Sequence, residues 1–259
     1  MTTDEPRPPA REQRTVFGEV AGTYDDVRPA YPPEILTRIL DYLGRAPAGV
    51  LESGAGTGKA TALLRTLDVP VTCVEPDPEM AAVLTGRYAD DELVSVVVSG
   101  FEDYTPPAPV DLLASAQAWH WLDPARRAGL AHAALAPGGT LAVFGHHYGF
   151  ADPELSEAIN AVYLRLTPEI AHREGFPEHY TPFAPGELSA FADLDRQQVE
   201  RLVPFPTERY LRLLSTFSNH RLLAPERRDR LHAALAEVID GHGGVLDHRL
   251  TTTLWLARR

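Results

Sequence analysis

A doubly wound α/β domain on a mostly parallel, seven-stranded sheet is the fold class this sequence predicts, on three observations. From Gly49 onward, short apolar runs alternate with segments of helical periodicity. The early runs are apolar on both faces, as strands covered by helices on each side must be. The final segment, HRLTTTLWLARR, instead alternates with a period of two, which marks an antiparallel strand near a sheet edge. With 259 residues, 44% hydrophobic and 23% charged, the chain suits one large domain with a cap better than several independent units.

The elements follow in order. Residues 1–14, MTTDEPRPPAREQR, are polar and Pro-rich and are expected to form a flexible tail; lacking an apolar core, they read as neither signal peptide nor membrane span. Residues 15–48 are expected to form a helical N-terminal cap. It comprises a helix near Val16–Tyr24 and one over Pro32–Leu43, where Pro opens the helix and Ile35, Leu36, Ile39, Leu40 and Leu43 recur at i, i+3, i+4. Residues 49–259 form the main domain. Its strand candidates are Val50–Glu52, Val71–Val74, Val94–Val98, Val110–Ser115 and Thr140–Phe144, and the helices between them are Ala60–Leu67, Pro78–Tyr88 and Pro124–Ala134. Residues 151–194 break the alternation with a helix near Pro153–Leu166 and the irregular HREGFPEHYTPFAPGE, a length of irregular chain that in a compact domain is more often a lid than a connector. A strand near Gln198–Leu202, helices near Thr207–Thr216 and Pro225–Ile239, and the last strand, with Leu250, Thr252, Leu254 and Leu256 on one face, complete the chain.

The charge balance restricts the partners. There are 24 Lys+Arg against 36 Asp+Glu, a formal net charge of −12, and such an excess of carboxylates repels phosphate backbones and anionic headgroups. A small-molecule partner is expected, with no nucleic acid and no membrane. Cys73 is the sole cysteine, which excludes an intramolecular disulfide framework and a Cys-based zinc site. No segment reaches about 18 uninterrupted apolar residues. The expectation is a cytoplasmic monomer or homodimer.

The most informative stretch is VLESGAGTGKAT: a strand, then Gly54, Gly56 and Gly58, then a helix. Glycines here permit positive φ and let a ligand press on bare backbone near the helix-start amides. A dinucleotide turn, G-x-G-x-x-G, would place its third glycine at Lys59, and a phosphate-binding loop would need Gly at Ser53 and Ser or Thr at Ala60. What remains is G-x-G-x-G preceded by Glu52. The plainer reading is a tight strand-to-helix turn and nothing more, but Glu75 closes the next strand about 20 residues on, where a carboxylate can chelate ribose hydroxyls.

With these residues in place the chain resembles the class I S-adenosylmethionine (SAM)-dependent methyltransferases, whose Rossmann-like sheet opens on this acidic glycine motif. The resemblance spans roughly Val16–Phe144. It implies SAM as cofactor and S-adenosylhomocysteine as product, with Pro76 and Met80 beside the nucleoside and Phe101 and Glu102 of SGFEDY at the adenine. LAPGGTLAVFG matches the family's fifth-strand motif. Ser53 departs from the branched apolar residue usual after the acid. Upstream, FGEVAGTYDDVRPAYP resembles the segment that folds over the cofactor in relatives of the trans-aconitate and ubiquinone/menaquinone-type enzymes, which implicates Tyr24 and Arg28 at the cofactor and Tyr31 at the acceptor.

Ligands of open α/β sheets bind at the carboxyl ends of the strands, so DLLASAQAWHWLDP should edge the pocket. The stretch resembles the trans-aconitate-like group. Ser115 and Gln117 are assigned to the cofactor, His120 to catalysis as a base or hydrogen-bond donor, and Trp119 and Trp121 to the acceptor wall, one of them plain core. His146 and His147 follow the fifth strand and point to opposite sides, so only one can face the substrate. His172 and His179 are weaker lid candidates. No His-x-x-x-His or Glu-x-x-His spacing supports a metal site, and none is expected. The resulting expectation is methyl transfer to an oxygen of a small molecule. The alternatives are a SAM-binding scaffold that does not methylate and, disfavoured by the glycine count, a nicotinamide oxidoreductase.

Overall fold

The computed structural model describes residues 26–171 and 181–259. The expected helix at Val16–Tyr24, the tail, Tyr24, His172 and His179 lie outside them.

Helix α1 (Pro33–Leu43) begins with Pro at its first position and ends at Gly44 in the left-handed region, whose N–H closes on Leu40 O. It buries Ile35, Leu36, Ile39 and Leu43, the stripe its spacing predicts, each contributing about 1.5–3 kcal/mol. Strand β1 (Val50–Ser53) is buried throughout. Then come α2 (Thr61–Leu64), which tightens into a 3-10 turn at Arg65–Leu67, β2 (Val71–Glu75), and α3 (Pro78–Arg87), capped by the Asp77 carboxylate on the Glu79 and Met80 amides. Next are β3 (Val94–Val98), β4 (Val110–Ala116), α4 (Arg127–Ala134) and β5 (Leu135–Phe150). The chain closes with α5 (Pro153–Leu166), β6 (Ala192–Pro206), α6 (Thr207–Leu214), α7 (Ser218–Arg221), α8 (Pro225–Gly241) and β7 (Val245–Arg258).

The seven strands form one sheet in the order β3-β2-β1-β4-β5-β7-β6. Strands β1 to β5 pair in parallel, and β7 runs antiparallel to both β5 and β6. One face packs Ile35, Ile39 and Leu64 over Val50, Cys73, Leu112 and Phe144; the other packs Ala131 and Leu135 over Leu51, Val74, Leu113 and Val143. A third cluster joins Val27, α5, α6 and α8 to Phe205 and Leu246, where the β5-β7-β6 ribbon extends past the other strands. The helices over 207–241 therefore share one core with the helix of the 151–194 insertion.

Several element bounds need correction. Strand β6 runs over Ala192–Pro206 rather than Gln198–Leu202, because it pairs with β7 along nearly its whole length; its less exposed face, Gln197, Val199, Arg201, Val203 and Phe205, mixes polar with apolar residues, so no clean alternation announces it. Strand β5 exceeds Thr140–Phe144 at both ends, since Leu135 pairs with Val110 of β4 and β7 accompanies it as far as Phe150–His248. Helix α4 starts at Arg127, three residues later than expected, and the Ala60–Leu67 helix is only one α turn and one 3-10 turn. Among the described residues no helix is long and apolar enough to cross a membrane.

Candidate functional site

The site lies where β1, β2, β3 and β4 deliver their carboxyl ends. Past β1 the chain turns through Gly54, Gly56 and Gly58 with φ of 69°, 57° and 93°. The glycines serve different ends. A Cβ on Gly54 would sit 2.3 Å from the Ala118 Cβ, so this position is bare to let the β4 exit loop close on the turn. A Cβ on Gly56 would meet nothing within 4 Å, so here bare backbone faces open space, as a ligand cradle requires.

Two carboxylates flank the cradle. Glu75 is buried; its Oε2 accepts the Gly56 N–H at 2.7 Å and its Oε1 the Asp77 N–H at 3.0 Å, leaving each oxygen further lone-pair capacity. Burial raises its pKa against the opposing pull of those amides. Glu52 is 1% exposed. Its Oε2 accepts the Thr61 hydroxyl at 2.6 Å and faces Cys73 Sγ at 3.7 Å, while Oε1 is buried without a hydrogen bond. Burial pushes its pKa up to about 7 and, with the Glu52 charge next, also raises that of the Cys73 thiol. Ser53, the departure in the motif, is wholly buried, and its carbonyl accepts the Ser115 hydroxyl at 3.4 Å, tying β4 to β1.

The raised Glu52 carboxyl sets a pH expectation. A carboxyl whose folded pKa lies above its unfolded value stabilises the fold at low pH, and this contribution is lost as pH rises to about 7. Glu52→Gln is therefore expected to raise the thermal midpoint by several degrees at pH 8 and to change it little at pH 4.5. An equal effect at both pH values in a calorimetric scan would refute the assignment.

Beyond β2, Pro76 is exposed and Met80 is buried on α3. Phe101 opens a 3-10 turn and lies in the core beside Leu51 and Val74. Glu102 accepts the Asp123 N–H through Oε1 at 2.8 Å, and its carbonyl accepts from Arg126. Gln117 leaves β4 with φ of 56°, a left-handed conformation that costs a side-chain-bearing residue about 1–2 kcal/mol. Its N–H donates to Phe144 O and its side-chain amide to His146 O, so it covers the edge of β5 that β4 leaves bare. Arg28 is held by the segment between α6 and α7, donating to Thr216 Oγ1 and O with its guanidinium 4.4 Å over Phe217.

The acceptor candidates divide by depth. Trp119 is 1% exposed and is the core member of the pair; its indole N–H donates to Glu187. His120 is exposed on the rim, its ring 4.7 Å from the half-buried Trp121. Desolvation by surrounding protein and the Arg127 charge hold its pKa below the usual value. His146 and His147 do point to opposite faces. His146 stacks on Tyr31 at 4.4 Å, with Nδ1 2.9 Å from Thr252 Oγ1; His147 faces Trp255. Tyr31 is buried and also meets Phe144 edge-on. Burial lowers the pKa of both histidines, so both are neutral at pH 7.

Sequence reasoning missed Thr61 and Cys73 as partners of Glu52, Thr252 on His146, and the Arg127–Glu187 ion pair behind Trp119. Thr61 was within reach, one helical turn past the glycines; the others meet only through the folded sheet. Among the described residues no group of three or more His, Cys, Asp or Glu side chains is arranged to hold a metal ion. A concavity of about 590 Å³ lined by Thr85, Tyr88, Asp90 and Val94 lies at the opposite, amino-terminal end of β3, away from these residues.

Residues 51–143 match a methyltransferase domain family. The chain is 35% identical over 190 residues to an uncharacterized methyltransferase of Mycobacterium tuberculosis, covering 73% of this chain and 71% of that one. It is 27% identical over 236 residues to an uncharacterized methyltransferase of Schizosaccharomyces pombe, covering 87% of each. Among solved structures, a candidate type II methyltransferase of Anaeromyxobacter dehalogenans superposes with a TM-score of 0.62 at 22% identity over 89% of this chain and 97% of that one. Phosphoethanolamine N-methyltransferase 2 of Haemonchus contortus, in complex with S-adenosyl-L-methionine, superposes with a TM-score of 0.52 at 17% identity over 93% and 57%. These two structures share the fold. Taken with the acidic glycine turn and the sheet order, the match to the mycobacterial relative establishes that the chain belongs to the class I SAM-dependent methyltransferases.

Proposed function

We propose that this enzyme binds SAM at the glycine turn and transfers its methyl group to an oxygen, carboxylate or hydroxyl, of a small-molecule acceptor, in the manner of the trans-aconitate and ubiquinone/menaquinone-type enzymes that its sequence resembles. The observation that carries the cofactor half is the open direction at Gly56 beside Glu75. These residues fit the group. Glu75 retains lone pairs for two ribose hydroxyls. When bound, SAM supplies an electrophilic methyl on a sulfonium.

The protein's own task is to align the acceptor and exclude water. His120, on the rim and neutral at pH 7, is positioned to accept the proton of a hydroxyl acceptor; a carboxylate acceptor needs no base. Tyr31, Trp121 and one of the two β5 histidines supply apolar and hydrogen-bonding walls. The reading places the enzyme in the cytoplasm, without nucleic-acid or membrane partners.

The test has two parts. Titration calorimetry with S-adenosylhomocysteine should give a saturable isotherm, and incubation with SAM and a panel of small hydroxy- and carboxylic acids should release S-adenosylhomocysteine. With a hydroxyl acceptor, His120→Ala is expected to lower turnover by about 10²–10⁴-fold while leaving S-adenosylhomocysteine affinity within about threefold. Wild-type turnover in that variant would remove His120 from the reacting centre.

A further inference from the structure

We propose that Arg127 and Glu187 act as positioning residues, a buried clamp that fixes the Trp119–Trp121 turn and so sets where His120 and Trp121 stand at the acceptor side; this rests on reading that turn as the acceptor wall. Arg127 and Glu187 are 6% and 3% exposed at their side chains. Their contact is a two-pronged fork, Nε to Oε1 and Nη2 to Oε2, each 2.7 Å. Most of the remaining capacity is also committed. Arg127 Nη1 donates to Trp119 O at 2.6 Å and Nη2 to Pro182 O at 2.9 Å; Glu187 accepts the Trp119 indole N–H at 3.1 Å and the Ala184 N–H at 2.7 Å.

Trp119 is thereby held at three points: its carbonyl, its indole nitrogen and its ring, which has the guanidinium 5.3 Å over it and Phe183 edge-on at 5.8 Å. With Trp119 immobilised, the next two residues of the same 3-10 turn can vary little in direction.

Packing alone does not call for this arrangement. Removing an ion pair from water is costly, and an apolar pair of similar volume commonly serves stability as well or better. Arg127 is moreover the first residue of α4, where the helix dipole disfavours a cation. What the fork adds over an apolar pair is direction, since a planar guanidinium bonds a carboxylate in one geometry.

The test uses the full chain and two variants, Arg127→Met/Glu187→Leu, which leaves no lone buried charge, and Arg127→Lys, which keeps the charge and loses the fork. Each is labelled with 5-fluorotryptophan and followed by fluorine NMR, His120 is titrated by proton NMR, and thermal midpoint and S-adenosylhomocysteine affinity are measured alongside. The clamp predicts Trp119 and Trp121 resonances that broaden or split in both variants and, in Arg127→Lys, where the charge is kept, a His120 midpoint displaced by at least half a pH unit, with S-adenosylhomocysteine affinity within about twofold of wild type. Unmoved tryptophan lines and an unmoved His120 titration in a folded variant would overturn it. If the double variant does not fold, wild-type spectra in Arg127→Lys overturn it equally. A wild-type chain that binds no S-adenosylhomocysteine would strike the cofactor reading instead, and the response of the turn to the variants would still decide the clamp.

Discussion

Gly56→Val is expected to yield a folded protein whose affinity for S-adenosylhomocysteine is at least about 100-fold weaker than wild type. A Cβ at Gly56 meets nothing within 4 Å among the described residues, so the new side chain projects into the space assigned to the cofactor. The fold bears only the left-handed backbone conformation at φ of 57°, about 1–2 kcal/mol or somewhat more for a β-branched residue. For a chain of this size that lowers the thermal midpoint by roughly 3–8 °C. Gly54→Val is the informative contrast, because its Cβ would lie 2.3 Å from the Ala118 Cβ and force the β4 exit loop away. That variant should lose much more stability. Calorimetric affinity at the wild-type level in folded Gly56→Val would end the assignment of the glycine turn to SAM.

Glu75→Ala should weaken S-adenosylhomocysteine binding by about 10²–10⁴-fold. Two hydrogen bonds from ribose hydroxyls to a carboxylate account for this: bonds to charged groups contribute about 1.5–3 kcal/mol each, and every 1.4 kcal/mol is a factor of ten. The substitution also releases the Gly56 and Asp77 amides from their acceptor, so the glycine turn loosens at the same time. Glu75→Gln separates the two effects, since an amide oxygen can hold one backbone N–H while the second becomes a donor. Its affinity should fall between wild type and Glu75→Ala. If adenosine, which carries the ribose and no methionyl group, competes equally well against both proteins, the carboxylate has been given the wrong partner.

What the sequence disclosed and what it hid divide on physical lines. Strands β1, β2 and β4 were readable because burial on both faces demands apolar residues at consecutive positions, and α1 because one buried face imposes its spacing. The glycine turn was readable because positive φ and close approach leave few residues eligible. Strand β6 was hidden beyond Gln198–Leu202: ADLDRQ lies on an exposed edge where no periodicity is enforced, and the one buried residue of PFP, Phe205, stands between two prolines. In the site, Glu52, Glu75 and the glycines declare themselves through spacing, whereas Arg127 and Glu187 meet across 60 residues and each resembles an ordinary surface charge until the fold brings them together. Arg28 shows the converse: a cation suited by type to a carboxylate-bearing ligand is engaged by Thr216 and Phe217 between α6 and α7.

The place of β7 in the sheet bears on how the protein reaches its native state. The strand formed last in chain order lies between β5 and β6, pairing Leu141 with Ala257 and Val203 with His248. During synthesis β5 and β6 must wait with open edges until β7 leaves the ribosome, and such edges are templates for pairing with other chains. Pairings this distant along the chain also make for slow folding. Refolding at low concentration should therefore outperform refolding at high concentration, with losses traceable to exposed β5 and β6 rather than to the parallel strands β1 and β4.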